Sequence, residues 1–311
     1  MSGVNMRGRC SGKISFGERK MEFLQKYGAF SGNSDPRSRF AVQFFYPDRS
    51  DPNLQELRKR YKLDEVAGDG SELQRIVNLM TWAYQRNGRV GIPAEARSPV
   101  RFKEAVRGEK RLIDCYWKNI LFGEAGMAMG FHSRLTHLLP HSDEERESHF
   151  VTSVYSRSMG KWLMMDPESG IYVTDEQGNP LGICEIRRRL VANHPMKAVQ
   201  VEKSWLKKTL MQLTEYLEGA DYFWFLSDFI FKIRCPQYSP GIRSVRDRDV
   251  YFELLPEGYE ENPLIRARLI RQGMKICYLY DEAVFWQSPL LENPTHKAVP
   301  VRDISECVSA L

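Results

Sequence analysis

Three residues in the middle of the chain have the types, order and spacing for nucleophilic catalysis: Cys115, His149 and Asp166. The separations are 34 residues (149 − 115) and 17 residues (166 − 149). Attack by a thiol on an acyl carbon needs a thiolate, a base that takes and returns a proton, and a carboxylate that orients the base. Cys115 lies in RLIDCYWKNILFGEAGMAMG, which has the pattern of the start of an apolar-faced helix. His149 opens the alternating stretch HFVTSVY, a strand pattern, and Asp166 ends KWLMMDP, a second strand after a turn at Ser158, Met159 and Gly160. With Asp114 as N-cap, Cys115 falls in the first helical turn, where amides without partners and the helix dipole favour the thiolate. His149 would take the thiol proton and later protonate the leaving group. Asp166 would hold the imidazole in one orientation, and the Cys115 amide is the natural first oxyanion donor. Each residue also has a structural reading. A lone cysteine on an apolar helix face is commonly a small buried hydrophobe, and a histidine at a strand start a hydrogen-bonded edge residue. Their order and helix–strand–strand contexts favour the joint, catalytic reading.

The elements that must position these residues follow from periodicity. Residues 1–40, rich in Gly, Ser, Arg and Lys, have the composition of a mobile tail, with one short helix expected near Glu18 to Tyr27. AVQFFYP is expected as a short strand, and helices are expected over Asn53 to Tyr61 and Ser71 to Gln85. In the second, Ser71 caps and Leu73, Ile76, Val77, Met80 and Tyr84 share one face. A Gly/Pro-rich loop from Asn87 to Pro99 precedes the cysteine helix. Strands are expected at Ser133 to Leu139, His149 to Tyr155, Lys161 to Asp166 and Ile171 to Thr174, then helices at Ile183 to Ala192 and Lys203 to Leu217. The aromatic run Tyr222 to Ile233 reads as a buried segment. Strands at Val250 to Leu255 and Lys275 to Tyr280, then VFWQSP as a further strand-like stretch, close the chain. Helices followed by a meander of strands argue an α+β fold. The division expected is a tail over 1–40, a core over 41–200, and a C-terminal α/β extension over 201–311 packed on that core.

Other constellations weigh less. His132, His137, His141 and His149 place four of the six histidines within 18 residues (132 to 149), a weak metal pattern interrupted by Pro140. The acidic run 143–147 beside them fits a solvated loop. Cys184 with His194 is a second thiol–imidazole candidate, but Ile183 and Ile186 mark a core position. Arg187, Arg188 and Arg189 read as an exposed helix face, and Trp117, Trp162 and Trp286 as core aromatics rather than a cleft lining.

Composition limits the classes. At 311 residues, 42% apolar and 12% aromatic, the chain can bury a sizeable core. Its 45 basic and 40 acidic residues give +5, interspersed, with no basic stripe or nucleic-acid motif, so no nucleic-acid partner is expected. Six scattered cysteines without a CxxC argue against a disulfide scaffold. The polar start, without an apolar signal core, and the charge-broken aromatic run set the expectation of a cytoplasmic protein with no membrane contact.

The segment HFVTSVYSRSMGKWLMMDPESGIYVTDEQGNPLGICEIRRRL resembles the transglutaminase-like superfamily of papain-like cysteine enzymes. There a strand begins with the catalytic histidine, a turn leads to a Lys–Trp pair, and the next strand ends in Asp-Pro. YKLDEVAGDGSELQRIVNLMTWAYQ and RLIDCYWKNILFGEAGMAMGFHSRLTHLLP resemble the preceding helices and first strand. DVYFELLPEGY and AVFWQSP resemble the closing segments of a bacterial subgroup of uncharacterised members. The resemblance covers about residues 41 to 290. It implies a papain-like α+β core with a Cys-bearing helix on an antiparallel sheet. Cys115, His149 and Asp166 would be the triad, an amide-bearing peptide, protein or other molecule the substrate, and no cofactor is implied. Asp114 and Tyr116 depart from the neutral residue and the small or basic residue that usually flank this cysteine. The implied activity is a thiol-dependent amide hydrolase or acyl transferase acting through a thioester, and the alternative is a catalytically silent transglutaminase-like binding protein.

Overall fold

The computed structural model describes residues 22, 24–31, 42–86, 115–141, 148–201, 219–239 and 250–289. The expected N-cap Asp114, the Asn87 to Pro99 loop and the Lys203 to Leu217 helix lie outside them. After the helical residues 24–27 come three helices among the described residues: α1 (Pro52–Arg60), α2 (Leu63–Ala67) and α3 (Glu72–Tyr84). Asp51 caps α1 by accepting from the amides of Asn53 and Leu54, with Pro52 at the first helical position. Ser71 caps α3 by accepting from the Gln74 amide, and Ile76, Leu79, Met80 and Ala83 are buried on its inner face.

The helix α4 (Cys115–Ala128) follows, then strands β1 (Ser133–Leu139), β2 (His149–Ser156), β3 (Lys161–Asp166) and β4 (Ile171–Thr174). Next come α5 (Ile183–Ala192), β5 (Lys197–Gln200), α6 (Gly219–Phe229), β6 (Lys232–Pro236), β7 (Val250–Leu254), α7 (Pro263–Arg271), β8 (Lys275–Leu279) and α8 (Glu282–Phe285). The fold is α+β. The strands form one sheet in the order β5-β4-β3-β2-β1-β6-β7-β8, antiparallel throughout except for the parallel pair β7–β8. The sheet therefore runs across the expected boundary between residues 200 and 201.

Alternation along β2 and β3 divides the core in two. Val151 and Tyr155 of β2, with Trp162 and Met164 of β3, face a cluster that includes Tyr222, Leu226, Phe229 and Ile186. Val154, Leu163 and Met165 face the opposite cluster, built from α1 to α4. Both faces are covered, so these strands are buried almost along their whole length instead of showing a polar side. The cysteine helix packs on the second face through Leu121, Phe122 and Ala125. Burying Phe122 alone is worth roughly 2–3 kcal/mol.

Several expectations change. Over 24–31 the segment expected as a tail is part of the core: Leu24 and Phe30 are buried, and the Ser31 amide bonds the Tyr280 carbonyl. The apolar spacing of Leu24, Tyr27 and Phe30 explains this. The strand expected from Ala41 is reduced to an isolated bridge between Phe45 and Tyr238. Val284, expected in a strand, is helical, because Asp281 caps α8 by accepting from the amides of Ala283 and Val284. The aromatic run divides into α6 and β6, and α7 and β5 are elements the periodicity did not mark.

Candidate active site

Cys115 is the first residue of α4 and is half-buried. One helical turn on, the side chain of Asn119 is fully buried and ties the helix start to β2. Its amide nitrogen donates to the carbonyls of Cys115 and Phe150, each at 2.7 Å, and its oxygen accepts from Thr152 Oγ1 at 2.7 Å. A second tie comes from Lys118, buried over the Tyr84 ring, whose Nζ lies 2.9 Å from Glu168 Oε2. Glu168 belongs to the turn after Asp166, so the cysteine helix is fastened to both elements that carry its partners.

His149 opens β2 and is only 4% exposed; Asp166 closes β3 and is 0% exposed. Register explains their proximity. Thr152 pairs with Met165 across β2–β3, so the odd positions of β2 and the even positions of β3 share a face. That face is the one packed by α6, whereas α4 lies on the other. The thiol and the imidazole meet at the sheet end, where Cys115 begins its helix and His149 its strand. His149 Nε2 lies 2.8 Å from Asp166 Oδ2, and the ring also hydrogen-bonds the Cys115 thiol. With Nε2 committed to the carboxylate, Nδ1 is the nitrogen left for sulfur.

Asp166 is held on both oxygens. Oδ1 accepts from the amides of Glu168 and Ser169, each at 3.0 Å, and Oδ2 accepts from Tyr222 Oη at 3.1 Å as well as from His149. Gly170 completes this turn at φ +66°, and a Cβ there would stand 2.8 Å from the Tyr84 ring. Phe225 meets the His149 ring edge-on at 4.9 Å, and Phe229 lies 6.4 Å from it.

The electrostatics follow from this packing. Burial disfavours the charged imidazole, but the Asp166 charge and hydrogen bond, with a further contribution from Cys115, outweigh it and raise the His149 pKa to about 10. Burial likewise opposes the Asp166 carboxylate, yet His149 and the Ser169 contacts hold its pKa below the ordinary carboxylate range. The protonated imidazole beside a thiol is the ion-pair geometry in which a cysteine acts as nucleophile.

The remaining candidates separate from this cluster. His137, stacked 4.0 Å over Phe150 and 2.6 Å from Ser148 Oγ, is pushed down to about 3 by burial and by the charges of Arg234 and His149, so its ring stays neutral. His132 packs edge-on against Tyr46 and His141 against Tyr27 and Phe231. Among the described residues, no group of three or more His, Cys, Asp or Glu side chains is arranged to hold a metal ion. Cys184 is a core residue, accepting from the Trp286 indole at 3.0 Å, with its thiol pKa raised by burial and by Glu282. His194 is exposed. Arg187 is a correction. It is 1% exposed, donates to the Gly28 carbonyl and lies over the Phe30 ring; Arg188 and Arg189 remain on the outer face, paired with Glu282 and Glu176. The 24–31 segment covers the face that Arg187 occupies. Trp162 and Trp286 pack around the buried Arg134, as core aromatics.

Sequence reasoning missed Asn119 and Tyr222. Asn119 stands four residues after Cys115, on the same helix face, and a polar side chain there within an apolar run was the available signal. Tyr222, Phe225, Leu226, Phe229 and Ile230 have helical i, i+3, i+4, i+7, i+8 spacing, which marks an inward face.

No family model matches the chain, and no curated protein matches it. Among solved structures it is similar to a putative cysteine protease from Cytophaga hutchinsonii, at 12% identity and a TM-score of 0.31. The match covers 56% of this chain and 59% of that one, less than two thirds of its length. A likeness of that degree decides nothing about the site, and the reading rests on the geometry above.

Proposed function

We propose that this protein is a thiol-dependent amide hydrolase or acyl transferase of the transglutaminase-like, papain-like class. Cys115 is its nucleophile, His149 its acid–base and Asp166 the carboxylate that orients His149. One observation carries the reading: the His149 imidazole lies between the Cys115 thiol and the Asp166 carboxylate. His149 stays protonated through neutral pH, and the form of the site that attacks is the Cys115 thiolate beside its imidazolium. The Cys115 sulfur attacks the acyl carbon, and the carbonyl electron pair moves to oxygen, which the Cys115 amide meets at the helix start. Collapse of that adduct breaks the carbon–nitrogen bond while His149 gives its proton to the departing amine. The thioester left on Cys115 is then attacked by water, which loses a proton to His149, and the acid departs as the thiolate re-forms. An amine in place of water gives transamidation by the same steps. Hydrolysis is the favoured outcome, because water is always at hand and nothing in the chain marks an amine site. The substrate is a peptide, a protein or another amide-bearing molecule, and each proton in the cycle has a side chain to carry it.

A library of peptide amides, screened for turnover and followed by mass spectrometry of the digested protein, tests this. The expected result is an acyl adduct confined to the Cys115 peptide and absent from Cys115→Ala. Turnover that survives Cys115→Ala, or no adduct and no turnover across the library, would refute the reading.

A further inference from the structure

Tyr222 is a buried ionisable group that the steps above do not use. It comes from α6, across the sheet face from the cysteine helix, and its hydroxyl donates to the carboxylate oxygen that also holds His149, at 3.1 and 2.8 Å respectively. The side chain is 0% exposed, and its phenol pKa is raised well above the ordinary range by burial and by the Asp166 charge, so the group is a permanent donor. The groups facing this pair are few. Asp166 meets His149 from β2, Tyr222 from α6, and in its own turn the amides of Glu168 and Ser169 and the Ser169 side chain. His149 meets Cys115 from α4, Asp166 from β3, the neutral His137 from β1, and the rings of Phe225 and Phe229 from α6.

Two backbone amides already fix the Asp166 carboxylate in place through Oδ1. The Tyr222 hydroxyl, which shares Oδ2 with His149, is therefore not needed to orient the group; it acts on its charge. A hydrogen bond to a carboxylate stabilises its negative charge and weakens its pull on a neighbouring cation. An imidazolium bound too tightly by its carboxylate is a poor acid, and a leaving amine needs that proton. We propose that Tyr222 is a positioning residue acting through Asp166: its hydroxyl shares the carboxylate charge and keeps the His149 proton transferable to a leaving group. The inference rests on the thiol–imidazole reading of the site and adds to it a fourth member, supplied by α6.

The test is imidazole nitrogen NMR of His149 across pH in the full chain, with Tyr222→Phe, Asp166→Asn and the double variant, and thermal melting as the fold control. Tyr222→Phe removes one oxygen atom and keeps the ring. The expected result is a rise of about three- to tenfold in the proton affinity of His149 in Tyr222→Phe. The double variant should titrate like Asp166→Asn alone, since Tyr222 then has no charge to share. An unchanged or lowered affinity in Tyr222→Phe overturns the inference, as does a further shift in the double variant. Iodoacetamide alkylation of Cys115 on the same samples separates the two readings. A parent whose Cys115 shows no reactivity at mildly acidic pH refutes the thiolate pair, whereas a reactive parent with superimposable His149 titrations refutes the role of Tyr222 alone.

Discussion

Asn119→Ala is the substitution whose cost the structure defines most fully. The side chain makes three hydrogen bonds of 2.7 Å in a site without solvent exposure. Thr152 Oγ1 keeps a longer bond to the Asn119 carbonyl at 3.2 Å, and the Cys115 carbonyl keeps its place in the helix ladder. The Phe150 carbonyl loses a partner outright, and Thr152 loses its better one. A buried polar group left unpaired costs about 1–3 kcal/mol, so one full and one partial loss amount to roughly 2–4 kcal/mol. Substitutions at exposed sites stay within about 0.5 kcal/mol. Urea unfolding of the parent, Asn119→Ala, Thr152→Val and the double variant measures this. The two sites share a bond, so the double variant should lose less than the sum of the singles, by at least about 0.5 kcal/mol. Because the same side chain fastens the start of α4 to β2, alkylation of Cys115 at mildly acidic pH should slow in parallel. A loss under about 0.5 kcal/mol for Asn119→Ala would refute the claim that this side chain fastens the helix start to β2.

Asp166→Asn, which keeps the size but can turn an amide nitrogen toward the imidazole, should lower turnover by roughly 10²-fold, less than in serine enzymes because a thiol ionises more readily, and should melt cooperatively but at a lower temperature, since the buried pairing with His149 is lost. Stability should peak near pH 6.5. His149, raised to about 10, stabilises the fold fully below its unfolded value and loses that contribution as pH rises toward 10; His137, lowered to about 3, contributes fully above its unfolded value and loses that as pH falls. Urea titrations across pH in His137→Gln should show a flatter acid side, and an unaltered acid slope would contradict the buried, neutral His137. Gly170→Ala, forced to positive φ with its Cβ against the Tyr84 ring, should cost at least about 2 kcal/mol and slow Cys115 alkylation by moving the turn that feeds Asp166, and a neutral melting curve would contradict it.

Much of the frame was legible because its signals are local. Ser71 capping α3, the strand from Ser133 to Leu139, and the Lys161 to Asp166 strand ending at Pro167 each depend on period and punctuation within a few residues. His149 and Asp166 were legible as partners because two residues on adjacent antiparallel strands come together through a short turn. Tyr222 was not, since it reaches Asp166 over 56 residues of sequence, and only the packing of α6 on the sheet brings it there. Arg187 misled for a related reason. A run of three arginines looks like a solvated face, and the segment 24–31 that covers one of them lies far away in the chain. The split of the aromatic run into α6 and β6 escaped notice because its aromatic and aliphatic residues, dense on both sides of Ser227 and Asp228, suit either element.

The central claim is that Cys115 is a nucleophile activated by the protonated His149 beside it, and the pH dependence of thiol alkylation tests it most directly. Iodoacetamide labelling, mapped residue by residue, compares Cys115 with the half-buried Cys277 and with Cys184 and Cys235, whose thiol pKa values burial raises. The account predicts that Cys115 reacts well below pH 7, faster than the other three. It predicts also that His149→Ala abolishes this acid reactivity while the other thiols keep their rates. A Cys115 that reacts only at alkaline pH, or one indifferent to His149→Ala, would contradict it.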